Sequence, residues 1–111
     1  MPKFKTPLHP GEILREEFLV PLDMSAGKLA RAIDVPRTRV ERIVREEMGI
    51  STDTALRLAR YFGTTPALWL NLQQSYDIAV GAAELRPQLK AIEPREGANE
   101  NFATWERRTI G

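Results

Sequence analysis

Residues 35–47, VPRTRVERIVREE, set four arginines and three glutamates among three valines and one isoleucine. Arginine offers a planar fork of donors that bonds guanine through O6 and N7 together, a contact worth roughly 1–3 kcal/mol of discrimination between bases. Threonine bonds a base or a phosphate, or rests its methyl group on thymine. Wound into a helix, the stretch places Arg37, Thr38, Glu41 and Arg42 on one free face, with Arg39 and Arg45 at its flanks. Val40, Ile43 and Val44 make the opposite, apolar edge. Such a helix can enter the major groove of DNA. Charge alone supports a plainer account. Arg37–Glu41 and Arg42–Glu46 have the i,i+4 spacing of ion pairs on any solvated helix.

The elements around this stretch decide between the two. Before it, MSAGKLARAI has Ser25 as an N-cap, and Met24 and Leu29 at the spacing of a hydrophobic staple. Asp34–Val35 then allows only a very tight break before Pro36 begins the arginine helix. A helix-turn-helix unit needs a small residue where its helices cross, an apolar plug in the turn, and one buried β-branched residue about five positions later. Ala30, Val35 and Val40 supply these in order. The remaining face is then free to read bases. Arg37, Thr38, Arg39 and Arg42 are the candidate base contacts, and Ser25, Lys28 and Arg45 the candidate phosphate contacts. Glu41 can accept from cytosine N4, but its spacing suits it better to orienting Arg37 or Arg45.

Bulk properties agree without deciding. The 111 residues suit one small domain, 42% hydrophobic and 28% charged, with net charge +1. Residues 23–45 carry six basic and three acidic side chains, so the basic excess is local. The chain has no cysteine, which excludes disulfides, thiol nucleophiles and thiolate metal sites. His9 is the single histidine and lacks metal-ligating or catalytic partners. Glu12, Glu16 and Glu17 fit surface and helix-dipole charges on a short exposed helix. No enzyme, metal or cofactor is expected. The N-terminus lacks the apolar run of a signal peptide and no segment is long enough to cross a membrane, so a cytoplasmic protein is expected.

Further helices are expected at HPGEILREEFL, stopped by Pro21; at TDTALRLARYF, capped by Ser51 and ended by Gly63; and from Pro66 onward, capped by Thr65. The last, ALWLNLQQSYDIAVGAAE, is apolar on more than one face. One face suffices to cover the other helices. The surplus suggests a homodimer contact through Trp69, Leu70, Leu72 and Tyr76, with Asn71, Gln73 and Gln74 near its rim. The expected fold is all-α: a five-helix domain over residues 8–84, then a tail over 85–111 that packs weakly or only with a partner. Phe102 and Trp105 are the tail's large anchors.

Three stretches, HPGEILREEF, LARAIDVPRTRVERIV and GISTDTALRLARYFGTTPALWLNLQQSYD, carry a resemblance over residues 9–80. The run T-P-x-x-W-L-N-L-Q-x-x-Y-D within the third is its most specific part. The chain resembles the HigA/VapI-type antitoxins of the XRE helix-turn-helix family, whose fold is similar to the phage lambda repressor domain. The resemblance implies a dimer on a palindromic operator in double-stranded DNA, acting as a transcriptional repressor. It also implies a protein partner, a HigB-like RNase toxin of the RelE type. A solitary regulator without a toxin, or an interaction module that mainly blocks a toxin, fits the same resemblance. Arg37, Arg39 and Arg42 stand where that group often carries small polar residues, so the resemblance does not extend to the operator sequence.

Overall fold

Helix starts leave backbone N–H groups without partners, and short polar side chains just ahead of a helix can take them up. Four starts use this device. His9 Nδ1 accepts from the Gly11 N–H at 2.9 Å, Ser25 Oγ from Lys28 at 3.1 Å, Ser51 Oγ from Thr54 at 3.2 Å, and Thr65 Oγ1 from Leu68 at 3.1 Å. These open α1 (Pro10–Ile13), α2 (Ala26–Ile33), α4 (Thr52–Phe62) and α5 (Pro66–Glu84) in the computed structural model, which describes residues 6–97. Between α2 and α4 lies α3 (Arg37–Val44), entered through the extended backbone of Pro36. A short α6 (Arg86–Ala91) follows α5. The described residues are all helix, turn or loop, without a strand.

Two features depart from the sequence expectation. First, α1 does not continue as an α-helix toward Pro21. It widens into a π-helical segment, Leu14–Leu19, where the Val20 N–H reaches back five residues to the Arg15 carbonyl at 2.9 Å. Second, α6 lies in the stretch expected to be a tail. None of its six residues is buried, so it carries no apolar period by which to be read. Phe102 and Trp105 lie outside the described residues.

Several helix ends share one geometry. Asp34, Glu46 and Gly63 adopt left-handed backbone, with φ of 57°, 64° and 72°. In each case the following amide closes back across the helix end: Val35 to Ala30 at 3.0 Å, Glu47 to Arg42 at 2.8 Å, Thr64 to Ala59 at 3.1 Å. These are Schellman closures, which satisfy carbonyls the helix leaves open. Gly63 is the expected stop of this kind; three carboxylate residues fill the same role, since Asp23 at φ 50° likewise precedes a Met24 amide that closes back to Leu19 at 2.9 Å.

The chain divides between Tyr76 and Asp77 into two compact units, and α5 runs through the division. The first unit holds a core of Leu14, Leu29, Val40, Ile43, Leu58 and Trp69. Each large apolar side chain removed from water stabilises the fold by about 1.5–3 kcal/mol. Phe18, Phe62 and Trp69 pack as a tilted aromatic trio, with Phe18 4.7 Å from Phe62 and 5.1 Å from Trp69. Trp69 is 0% exposed and its Nε1–H donates to Thr64 Oγ1 at 2.8 Å. This corrects its assignment to a dimer contact: a ring with no accessible surface offers nothing to a second subunit. Glu12 is also corrected, being buried rather than a surface charge. No helix among the described residues is long and apolar enough to cross a membrane.

Candidate nucleic-acid interface

The interface is built from the turn outward. Asp34 reverses the chain in a single left-handed step, and Val35, half-buried, folds back over Ala30. Asp tolerates this conformation better than most side chains. Ala30 is 1% exposed where α2 and α3 cross, and Val40 1% exposed on the crossing face of α3. The three positions expected to define a helix-turn-helix therefore belong to one cluster, with Ala30 and Val40 in the core and Val35 packed against it. With Ile43 buried beside Val40, the opposite edge of α3 is committed outward.

That outward edge carries Arg37, Thr38, Arg42 and Arg45, all exposed, with Glu41 half-buried among them. Arg37 Nε lies 3.7 Å from Glu41 Oε2, the helical pairing expected to orient it. Its stem crosses Gly27 of α2, where a Cβ would stand 3.1 Å from Arg37 Cδ. Glycine thus leaves room for the arginine's aliphatic part. Ser25 and Lys28 lie exposed at the start of α2. The Ser25 Oγ accepts one hydrogen bond as cap and keeps its own proton to donate. The glutamates after α3 are turned away from helical spacing, because the helix ends at Val44 and Glu46 has left-handed backbone.

Three neighbours hold α3 in place. Gly11 of α1 is the closest: a Cβ there would fall 1.8 Å from the Ile43 carbonyl oxygen, so only glycine permits this approach of two backbones. Arg15, from the π-helical segment, grips the end of α3. Its Nη1 donates to the Val44 carbonyl, Nη2 lies 3.4 Å from Glu46 Oε2, and Nε donates to Glu16 at 2.9 Å. Partial burial pulls the Arg15 guanidinium down, and the bonds and charges of Glu16 and Glu46 outweigh that and raise its pKa. On the third side Asp53 Oδ1 accepts from Arg39 Nη1 at 2.9 Å and from Arg57 Nε at 2.8 Å. Those two hydrogen bonds, Arg57's first, hold the Asp53 carboxyl below its ordinary pKa.

Arg39, a candidate base contact at the flank of the outward edge, is partly buried and paired with Asp53. The pair draws it toward α4 as a brace. Gln73, expected at the rim of a subunit contact, is half-buried and accepts the Ile50 N–H at 2.6 Å, covering Gly49 in the α3–α4 loop. Leu70, Leu72 and Tyr76 are half-buried against the first unit, Tyr76 edge-on to His9 at 4.7 Å. Exposed apolar side chains on α5 are instead Leu68 and Ile78, followed by Leu85 just past it. Gly11, Arg15, Gly27 and Asp53 went unmarked in the sequence. Only the i,i+4 spacing of Asp53 and Arg57 signalled a contact there.

A tight left-handed turn, a small crossing residue and an outward basic edge define a helix-turn-helix domain. The helix-turn-helix family model matches residues 14–69, and the chain belongs to that family. Within it, similarity runs to proteins named as virulence-associated proteins and antitoxins. Virulence-associated protein I of Dichelobacter nodosus is 56% identical over 71 residues, 64% of this chain and 66% of its own length, just under two thirds. Antitoxin HigA-1 of Vibrio cholerae is 30% identical over 90 residues, covering 81% of this chain and 85% of its own. Antitoxin HigA of Pseudomonas aeruginosa, solved with the higBA promoter, superposes with a TM-score of 0.78 at 50% identity, covering 80% of this chain and 98% of its own.

Proposed function

We propose that this chain is a sequence-specific DNA-binding repressor that binds a palindromic operator as a dimer and neutralises a HigB-like RNase toxin. One observation carries the DNA-binding part: Arg37, Thr38 and Arg42 stand exposed on an eight-residue helix whose other edge, Val40 and Ile43, is buried. In this reading α3 lies in the major groove. Arg37, Thr38 and Arg42 meet base edges, while Ser25, Lys28 and Arg45 meet phosphates. Glu41 aims Arg37. An eight-residue helix reaches only a few base pairs, and pairing two copies on a two-fold site doubles the sequence read. Leu70, Leu72 and Tyr76, with the exposed Leu68, are the α5 side chains we assign to the contact between copies. A dimer over its own promoter, in the cytoplasm, would repress by obstructing polymerase.

The toxin partner is supported by the naming of the relatives as antitoxins. Fluorescence anisotropy on the DNA upstream of the chain's own gene tests the first part. Binding no tighter than to a scrambled duplex at physiological salt sinks it. Co-expression with the neighbouring open reading frame tests the second part: a neighbour that is harmless when expressed alone removes the toxin from the reading.

A further inference from the structure

Asp53 lies in the first turn of α4, outside the helix-turn-helix, yet one of its carboxylate oxygens joins both helices of that unit. Oδ1 accepts from Arg39 of α3 at 2.9 Å. It also accepts from Arg57 at 2.8 Å, and Arg57 Nη1 donates to the carbonyls of Ile33 and Asp34 at 2.9 and 3.0 Å, at the turn after α2. The effect on Arg39 shows in its exposure: its side chain is 34% exposed, against 71% for Arg37. Arg39 follows directly on Thr38, a candidate base contact, and its long side chain is turned back from the outward edge.

We propose that Asp53 is a positioning residue that sets DNA specificity by withholding Arg39 from phosphates. The inference rests on the DNA-binding function proposed above. Phosphate contacts raise affinity for every sequence alike, whereas specificity is the ratio between the right sequence and the rest. A cation free to swing beside α3 would add one contact of the first kind and dilute the readout of Arg37, Thr38 and Arg42. The Asp53–Arg39 pair is exposed and therefore a weak restraint, not a lock. Its work is to keep Arg39 from being a standing phosphate contact on every duplex.

The test measures binding of the wild type, Asp53→Asn, Arg39→Gln and the double variant to two duplexes, the upstream DNA and a scrambled one of equal length, across a range of salt. Asp53→Asn is expected to tighten binding to the scrambled duplex several-fold at low salt, and to steepen its log–log salt slope by about 0.9, the release expected for one added phosphate contact. The ratio between the two duplexes falls accordingly. With Arg39 already Gln, the same change at 53 leaves slope and ratio where Arg39→Gln put them. Asp53→Ser repeats the measurement should Asn at 53 lower the melting temperature. An unchanged slope, or an equal gain whether residue 39 is Arg or Gln, overturns the inference while leaving the proposed function intact. A wild type that binds neither duplex overturns the function itself, and this inference with it.

Discussion

Helices α3 and α5 solve opposite problems. The first is short and mostly polar, with two buried residues, Val40 and Ile43. Beyond those two core side chains, its position is set by neighbours: the backbone of Gly11, the grip of Arg15, the room left at Gly27 and the pairing at Asp53. The second is long and apolar on several sides, and supplies the core with Trp69 while leaving Leu68 and Ile78 in water. A polar helix declares its faces, because charge and hydrophobicity separate cleanly around it. An apolar helix does not, since core and contact surface call for the same side chains.

Substitutions sharpen this contrast, beginning with the largest effect. Trp69→Ala empties the centre of the first unit and is expected to destabilise it by roughly 3–5 kcal/mol in denaturant titration. Ile78→Ala, on the same helix but 45% exposed, should change monomer stability by less than about 0.5 kcal/mol. Equal losses at the two positions would break the division of α5 into core and surface. Next is Gly11→Ala. The added methyl meets the Ile43 carbonyl carbon and oxygen, both backbone atoms that cannot swing aside, so a loss of about 1–3 kcal/mol is expected by the same titration. A neutral result would mean that α3 is not placed from α1.

Arg42→Ala should move a different quantity. Unfolding stays within about 0.5 kcal/mol of wild type, while discrimination at one base pair of the bound DNA falls by roughly 1–3 kcal/mol in competition binding. Lys28→Ala, by contrast, should weaken all duplexes alike and flatten the salt slope by about 0.9. The smallest effect is that of pH on the α3–α4 brace. The folded Asp53 has a pKa below its ordinary value, so its contribution is complete above the unfolded carboxyl's pKa, near 4, and is lost as pH falls through the folded value. Unfolding midpoints of wild type and Asp53→Asn should converge as pH is lowered through that range. A gap that persists there would mean that the carboxylate is not what joins α4 to α3.

What the sequence revealed follows the same contrast. Capping side chains, the turn at Asp34–Val35, and the buried edge of α3 were legible because each depends on neighbours in sequence. The pairing of Arg37 with Glu41 was legible for that reason too. The pairing of Arg39 with Asp53 was not legible because the two are fourteen residues apart, and helical spacing reports only on pairs within a turn. Trp69 was misjudged because hydrophobicity cannot distinguish a monomer's core from a subunit contact. Glu46 as a helix stop was invisible because glycine is the usual sign of left-handed backbone, and a glutamate there depends on tertiary context.

The π-helical segment Leu14–Leu19 has a consequence for length variation. Its wider turns close over five residues where an α-helix closes over four. Deleting one exposed residue there, such as Glu17, would let the segment tighten to ordinary α-helix without shortening its hydrogen-bonded span. The wider turn holds the extra residue, so the residues on its two sides would keep their facing about the axis. Gly11 would stay against the Ile43 carbonyl. A single-residue deletion in this segment is therefore absorbed where it falls, whereas the same deletion within α2 would turn everything beyond it by roughly 100°.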